Sequence, residues 1–244
     1  MAKTGRLDRL DALRALAMLW MAAYHFAFDL NHFQLMPRQN FYVDPFWTLQ
    51  RTCILSLFLF CAGAGQALAV ARGQDGARFW RRWAQIAGCA ALVSLGSMLM
   101  FPRSWIYFGV LHGMAVMLIL CRPLLRAGAW LWLLGALAVV LPLLVRYPVF
   151  DAPPLNVLGL ATRKPVTEDW VPLLPWLGVM LWGMAAAQTL AHRAPAALGG
   201  PLPGPLRPLA TLGRWSLSFY MLHQPVLIGA ILVWQVLVRA PVPG

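Results

Sequence analysis

His25 and Asp29 lie four residues apart inside the first long apolar segment of the chain, which extends from about Arg14 to Phe33. This spacing places both side chains on one face of an α-helix. Ionisable side chains at bilayer depth are costly and usually face a protein interior or a water-filled cavity. A carboxylate one turn from a histidine can fix its tautomer and raise its basicity, as a general base requires. We therefore predict that this pair forms the centre of a reactive site.

Three further ionisable side chains interrupt later apolar segments: Arg51, His112 and His223. Arg51 is expected to neutralise Asp29, because a carboxylate left unpaired at that depth would take up a proton instead. His112 and His223 are candidate supporting residues for the same site. The alternative for both histidines is a hydrogen bond that links two helices, and the sequence does not separate these roles.

His32 is the alternative reactive histidine. It lies at the outer end of the same segment as His25, where contact with water is expected. His25 is the preferred candidate because it lies deeper and is one turn from Asp29. Asp169, in a later polar stretch, completes the set of candidate supporting or acceptor-binding residues.

Composition places the chain among the membrane proteins. Hydrophobic residues make up 60% of its 244 residues and charged residues only 11%, whereas soluble domains are about half apolar and about a quarter charged. The apolar blocks are too long for tilted barrel strands, and only helices and closed barrels span a bilayer. The sequence therefore predicts an all-α, polytopic helical bundle. The four cysteines lie in apolar blocks without a CxxC pair, and no metal site is expected.

Seven membrane spans are predicted, in a single transmembrane domain that covers residues 1–244. They comprise residues 14–34, 48–71, 83–102, 104–121, 127–146, 172–191 and 213–238. The break at Pro102 predicts a tight hairpin between the third and fourth spans. The proline-rich stretch 146–170 is expected to form an ordered outer loop. Residues 194–208, rich in alanine, glycine and proline, are expected to form a non-helical inner connector.

The distribution of charge predicts the orientation. The net charge is +12, and cytoplasmic loops of membrane proteins carry an excess of lysine and arginine. With the N-terminus in the cytoplasm, the inner segments hold most of these cations, whereas the outer segments hold Asp44, Asp151, Glu168 and Asp169. This explanation of the positive charge needs no nucleic acid partner, and no nucleic-acid-binding motif is present. Membrane lipids are the expected surroundings.

Five sequence blocks follow one another in order along the chain: RLDALRALAMLWMAAYHFAFDL, DPFWTLQRTCILSLFLFCAGAGQAL, YFGVLHGMAV, PLLPWLGVMLWGMA and LGRWSLSFYMLHQPVLIG. Together they resemble the heparan-alpha-glucosaminide N-acetyltransferase-like family, a bacterial branch of the transmembrane acyltransferases. The resemblance covers nearly the whole chain, and the ordered set is more specific than any single block.

The resemblance implies a membrane enzyme that moves an acyl group from acetyl-CoA, at the cytoplasmic side, to a sugar amine or hydroxyl. By position, it implies that His25 is the catalytic histidine and Asp29 its partner. The histidine would act either as a base or as an acyl carrier, and the sequence does not distinguish these routes. The expected acceptor is a glycan, a sugar or a lipid.

The resemblance also points to a donor site. Arg9, Asp11 and Arg14 match the opening motif of the family, although Ala15 stands where the family commonly has glycine. Together with Arg81 and Arg82, which lie at the start of a later segment, these residues are candidates for binding the phosphates of CoA. A sufficient alternative for all of the arginines is that they hold the membrane topology. The chain is also much shorter than the animal enzyme, in which an asparagine occupies the helix position of His25.

The alternative outside the enzymes is a proton-coupled transporter or lipid-binding membrane protein that uses the same histidine, aspartate and arginine residues. Against it, the sequence contains no inverted repeat and no pair of broken helices. Within the enzymes, the alternative is transfer of a longer acyl group. The expected location is the bacterial cytoplasmic membrane, and a homodimer is compatible with the sequence.

Overall fold

The computed structural model describes residues 7–198 and 202–239. Within these ranges the chain is helical, and it contains no strand beyond an isolated bridge between Phe108 and Trp170. The α-helices in the described part are α1 (Asp8–His32), α2 (Pro45–Ala71), α3 (Gly76–Met100), α4 (Val110–Cys121), α5 (Trp130–Leu144), α6 (Leu173–Arg193), α7 (Pro195–Leu198), α8 (Arg207–Arg214) and α9 (Ser216–Arg239). The predicted all-α class is confirmed.

Four of these helices are long and apolar enough to cross a membrane: α2, α3, α6 and α9. Every predicted span contains a helix, but α4 and α5 have only 12 and 15 residues, and a straight crossing takes about 20. The charged residues at the start of α1 reduce its apolar character. The chain is therefore an integral membrane protein, whereas the number of seven spans stays a prediction.

The chain divides into two compact units. The larger unit comprises Met1–Leu10 and Ser56–Leu202, and the smaller unit comprises Asp11–Leu55 and Pro203–Gly244. The helices α1 and α2 contribute residues to both units. The single transmembrane domain stays a prediction, since it concerns how these two units function together.

Close approach of α2 and α6 forms part of the core of the larger unit. A Cβ atom added at Gly63 of α2 would overlap the carbonyl oxygen of Met180, and one at Gly183 of α6 would overlap that of Phe60. Glycine is therefore needed at both positions for the two backbones to pack directly.

The predicted tight hairpin at Pro102 is wrong. The helix α3 ends at Met100 and α4 begins only at Val110. The intervening segment is held in a non-helical conformation by distant partners: Glu168 donates its backbone N–H to the carbonyl of Ser104, and Val171 donates to that of Phe108. These bonds satisfy backbone groups that a helix starting at residue 104 would otherwise have used internally.

The two predicted connectors have different outcomes. Residues 146–170 form an irregular segment with two short 3-10 helices, Pro148–Asp151 and Leu155–Leu158. Residues 194–208 were expected to lack helix, and this expectation is wrong in part. The short helices α7 and Gly204–Leu206, and the start of α8, fall within it. Proline at the first positions of these helices favours their initiation, because its missing N–H is not needed there. Residues 199–201 lie outside the described residues.

Aromatic packing builds the core of the smaller unit. Met21, Tyr24, Phe41 and Ile54 are buried together. The Phe41 and Trp47 rings stack with centroids 4.0 Å apart, and the Tyr24 ring meets Phe41 edge-on at 5.6 Å. The residues of α9 that pack against this cluster are Phe219 and Tyr220. This core holds α1 against the first turns of α9, where the candidate site lies.

Candidate functional site

Two histidines meet between α1 and α9 in the smaller unit. The Nδ1 atom of His25 lies 2.8 Å from Nε2 of His223, and the rings are stacked with centroids 5.0 Å apart and an interplanar angle of 24°. His223 is buried, at 9% exposure, and His25 is partly buried. The sequence placed both residues among the candidates, and the structure brings them into direct contact.

The hydrogen bonds fix the tautomers of both rings. Nδ1 of His223 lies 2.7 Å from the backbone carbonyl oxygen of Tyr220, which can only accept, so this nitrogen carries the proton. In a neutral ring, Nε2 of His223 then accepts a hydrogen bond from Nδ1–H of His25. The unprotonated nitrogen of a neutral His25 is therefore Nε2. The side chain of Gln224 also interacts with His25.

Asp29 is held by an amide of α9. Its side chain is 4% exposed, and Oδ1 accepts a hydrogen bond of 2.8 Å from Nε2 of Gln224. The predicted ion pair with Arg51 is wrong: Arg51 is exposed on α2, whereas Asp29 faces Gln224. Asp29 was expected to fix the tautomer of His25. In the structure, His223 makes the hydrogen bond that fixes it.

Aromatic rings surround the histidine pair. The Phe219 ring is parallel to the His223 ring at a centroid distance of 6.0 Å, and the Tyr24 ring lies 6.0 Å from that of His25. A ring face attracts a nearby cation. Aromatic side chains therefore form part of the surroundings of both histidine rings.

His32, the alternative histidine, lies in a different environment. It is exposed in the last turn of α1, and its ring meets the adjacent Phe33 ring edge-on at 5.2 Å. No described residue fixes its tautomer as His223 fixes that of His25. These contacts distinguish the two histidines, and the choice of His25 as the reactive residue stays a prediction.

The opening motif forms a charged cluster within the smaller unit. Oδ1 of Asp11 accepts a 2.8 Å hydrogen bond from Arg14, and Oδ2 lies 4.0 Å from Nε of Arg214 in α8. Arg214 was not among the predicted site residues. Asp11 thus ties α1 to α8 and positions two guanidinium groups. In the larger unit, Arg9 donates to the carbonyl of Ala197 at 3.0 Å.

The other candidate donor-site residues are exposed at the start of α3 in the larger unit. Arg81 and Arg82 both face outward, and Arg82 lies 3.3 Å from the Oε1 atom of Gln85. Arg78, in the first turn of α3, pairs with Asp75 at 3.3 Å. An exposed arginine cluster of this kind suits a phosphate-bearing ligand or the surface of a membrane.

His112 and Asp169 have hydrogen-bond partners within the larger unit. Nδ1 of His112 accepts from the backbone N–H of Gly109 at 3.3 Å, and Nε2 lies 3.0 Å from the Ser94 hydroxyl. The Asp169 carboxylate accepts from the N–H of Val110 at 2.8 Å. Both side chains therefore accept hydrogen bonds from backbone N–H groups at the start of α4. This contact is a sufficient structural role for each of them. Their predicted supporting role in catalysis stays a prediction.

Gln224 is the site residue that the sequence analysis missed. An amide does not titrate, and its partner Asp29 lies 195 residues earlier in the chain, so neither charge nor local spacing identifies it. The available signal was a second polar side chain directly after His223 within an apolar segment. Such residues seldom face lipid.

The fold and site define a helical integral membrane protein with two histidines in contact, one of them buried, and a buried carboxylate one helical turn away. The family model described as heparan-alpha-glucosaminide N-acetyltransferase, catalytic, matches residues 6–225, and the chain belongs to this family. A search of the curated proteins and a search of the solved structures returned no match. The matched region contains the histidine pair, Asp29 and Gln224. At the level of the family, the chain is a membrane acetyltransferase.

Proposed function

We propose that this protein transfers an acetyl group from acetyl-CoA to an amine or hydroxyl of a sugar, glycan or lipid, with His25 at the reaction centre. Family membership supports the reaction class. The observation that carries the residue assignment is the contact between His25 and His223, which leaves Nε2 of His25 unprotonated. A free imidazole nitrogen with a fixed tautomer is what a general base or an acyl carrier needs.

In the direct route, Nε2 of His25 removes a proton from the acceptor as that group attacks the thioester carbonyl. The tetrahedral intermediate collapses to the acetylated acceptor and releases the CoA thiolate, which takes up the proton. His223 holds the imidazolium of His25 through the hydrogen bond at Nδ1. In the alternative route, Nε2 itself attacks the carbonyl, and the acceptor then takes the acetyl group from the histidine. Both routes use the same nitrogen atom.

The donor would bind from the cytoplasm. Arg9, Arg14, Arg81 and Arg82 are the residues that we assign to the phosphates of CoA, and Asp11 positions Arg14 through their hydrogen bond. The excess of cations in the inner segments supports a cytoplasmic N-terminus and a location in the bacterial cytoplasmic membrane.

The test is the thermal stability of detergent-purified protein titrated with acetyl-CoA, with CoA as a related ligand and ATP as a control. A ligand that binds the native state raises its stability with concentration. We expect a saturable rise in Tm with the CoA compounds and none with ATP. In the companion transfer assay, His25→Ala should abolish acetyl transfer and still bind acetyl-CoA, whereas His32→Ala should remain active.

Two outcomes would count against this function. One is folded wild-type protein that shows no response to millimolar acetyl-CoA. The other is full transfer by His25→Ala. Proton-coupled uptake in vesicles without thioester cleavage would instead indicate a transporter built on the same residues.

A further inference from the structure

A cleft opens at one end of the larger unit, where α2 and α6 end and α5 begins. Its volume is about 360 Å³. The lining combines apolar side chains with polar ones and includes Ala67, Val70, Leu125, Arg126, Gln188 and His192. None of these residues belongs to the reaction centre around His25 or to the assigned donor site.

The cleft lies at the level of the membrane surface. The helices α2 and α6 are both long and apolar enough to cross a membrane, and residues of their last two turns line the cleft. Trp130, two positions after the lining residue Gly128, is 67% exposed at the start of α5. Tryptophan is enriched at the boundary between hydrocarbon and water. Phospholipid headgroups occupy this boundary.

Positive charge at this end of the unit has no acidic counterpart in the elements that form the cleft. Arg126 is exposed in the connection between α4 and α5, Arg72 follows α2, and Arg193 ends α6. The sequences of α2, of residues 110–144 and of α6 contain no aspartate or glutamate. A negatively charged ligand would therefore complement the cleft.

Hydrogen bonds hold the walls of the cleft in place. Nε2 of Gln188, in α6, donates to the backbone carbonyl of Leu125 at 2.8 Å. Nε2 of Gln66, in α2, donates to the carbonyl of Leu118 in α4 at 2.8 Å. Both long helices are thus tied to the chain that leads into the connection, and the cleft is formed before any ligand binds.

An anionic phospholipid matches both kinds of lining. Its phosphate suits the guanidinium of Arg126 and a ring N–H of His192, while the upper part of its acyl chains suits Ala67, Val70 and Leu125. A free phosphate would leave the apolar wall uncovered, and a neutral lipid would bring no negative charge to Arg126. Hydroxyl groups on the headgroup could also donate to the last carbonyls of α2 and α6, which lack helical partners.

We infer that this cleft binds the headgroup and upper acyl chains of an anionic phospholipid, with Arg126 and His192 on the phosphate. Basic pockets between membrane-spanning helices recognise anionic headgroups by this chemistry. The inference goes beyond the proposed function and does not depend on it, because it uses no residue assigned to acetyl transfer.

The experiment records the Tm of detergent-purified protein against the mole fraction of dioleoylphosphatidylglycerol in the micelles. Dioleoylphosphatidylcholine has the same chains without net charge, and glycerol phosphate has the phosphate without chains. The variants are Arg126→Gln and His192→Leu. Arg103→Gln is the matched control, since Arg103 is exposed between α3 and α4 and its loss changes the net charge equally. The response to acetyl-CoA is recorded for every protein.

We expect phosphatidylglycerol to raise the Tm saturably in wild-type protein and Arg103→Gln, with a smaller response to phosphatidylcholine and none to millimolar glycerol phosphate. Arg126→Gln should need about fivefold more phosphatidylglycerol for the same shift, the usual contribution of one basic residue near anionic lipid. His192→Leu should weaken the response in the same direction. The responses to acetyl-CoA should be unchanged.

Equal responses to the two phospholipids would overturn the inference. So would equal losses in Arg126→Gln and Arg103→Gln, because net charge alone would then explain the attraction. A full shift with glycerol phosphate would show a site for free phosphate instead of a lipid, and loss of the acetyl-CoA response in Arg126→Gln would assign the cleft to the donor. If Arg126→Gln does not fold, His192→Leu makes the same comparison. Failure of the proposed function is reported separately, by wild-type protein titrated with acetyl-CoA.

Discussion

At the scale of single residues, the contact between His25 and His223 has a direct kinetic consequence. Removing the ring in His223→Ala leaves Nδ1–H of His25 without its acceptor at 2.8 Å, so the proton is free to move to the nitrogen that must react. General bases contribute about 10²- to 10⁴-fold to rate. We expect kcat for acetyl transfer to fall by about 10²-fold or more, with little change in acetyl-CoA binding.

A positioning role for His223 makes a second variant informative. The side-chain oxygen of Gln in His223→Gln can accept the same hydrogen bond, so this variant should recover part of the lost activity and shift the pH profile of kcat/KM. A merely structural role would reduce protein yield or Tm in both variants without separating their kinetics. Full activity of His223→Ala would show that the tautomer of His25 is set by other groups.

The carboxyl of Asp151, between α5 and α6, should make the stability of the surrounding segment depend on pH. Hydrogen bonds from the Thr162 hydroxyl and backbone, followed by Arg163, hold the pKa of its carboxyl below the ordinary value of 3.8. Because the pKa is lower in the folded state, the stabilisation is present above pH 4 and is lost as pH falls through the folded pKa. Below that range, the segment around Thr162 should open more readily.

Hydrogen exchange at the Thr162 and Arg163 amides measures this effect when wild-type protein and Asp151→Asn are compared at each pH. The wild-type amides should be better protected near pH 6, and the difference should shrink as the carboxyl protonates. Glu168→Gln, which changes a carboxylate that accepts a hydrogen bond from the Ser104 hydroxyl, is the matched control and should leave these amides unchanged. A difference that grows towards acid would contradict the assignment.

The residues of the site were only partly predictable from the sequence. His25, Asp29 and His223 could be identified because ionisable groups in apolar segments are rare. Their partners could not, since helical spacing gives the face of a helix but not which helix packs against it. Arg51 was assigned to Asp29 on charge alone, whereas the structure gives that position to the neutral Gln224.

At the scale of helices, Gly63 and Gly183 allow α2 and α6 to pack through their backbones in the larger unit. Gly63→Ala should therefore push the two helices apart and lower the stability by about 1–3 kcal/mol, the usual cost of overpacking. The measurement is Tm in detergent. Gly96→Ala in α3 is the matched control, because no atom lies within 4 Å of the added Cβ. It should be neutral or slightly stabilising.

Equal Tm values for Gly63→Ala and Gly96→Ala would show that the contact between α2 and α6 relaxes without cost. A lower Tm for the control alone would contradict the packing explanation.

Helix positions were predictable where hydrophobicity alone determines them. Each predicted span contains one of the longer helices, because long apolar blocks in lipid must satisfy their backbone groups internally. The start of α4 was placed six residues too early, at residue 104 instead of Val110. Its true start depends on Asp169, a partner 59 residues away that accepts from the first N–H of the helix. Contacts of this range leave no local pattern.

At the scale of the whole molecule, the family match extends over residues 6–225 and therefore over parts of both compact units. The histidine pair belongs to the smaller unit, whereas Arg81 and Arg82 belong to the larger one. The residues assigned to the proposed reaction therefore come from both units, and the single domain stays a prediction. A fragment limited to either unit should lack acetyl transfer.

The last prediction concerns orientation, on which the cytoplasmic donor site depends. Arg72 follows α2, and Arg78, Arg81 and Arg82 lie in the first two turns of α3, whereas acids and bases balance between α5 and α6. The start of α3 should therefore be cytoplasmic and the connection between α5 and α6 external. Ala77, in the first turn of α3, and Val166, between α5 and α6, are both exposed, and Ala77→Cys and Val166→Cys place a thiol at each position. A membrane-impermeant thiol reagent added to intact bacterial cells should label Val166→Cys and leave Ala77→Cys unlabelled until the cells are opened.

The unmodified chain, with its four native cysteines in helices, provides the background. Labelling of Ala77→Cys alone in intact cells would reverse the orientation, and acetyl-CoA would then have to be bound by residues other than the arginines of α3.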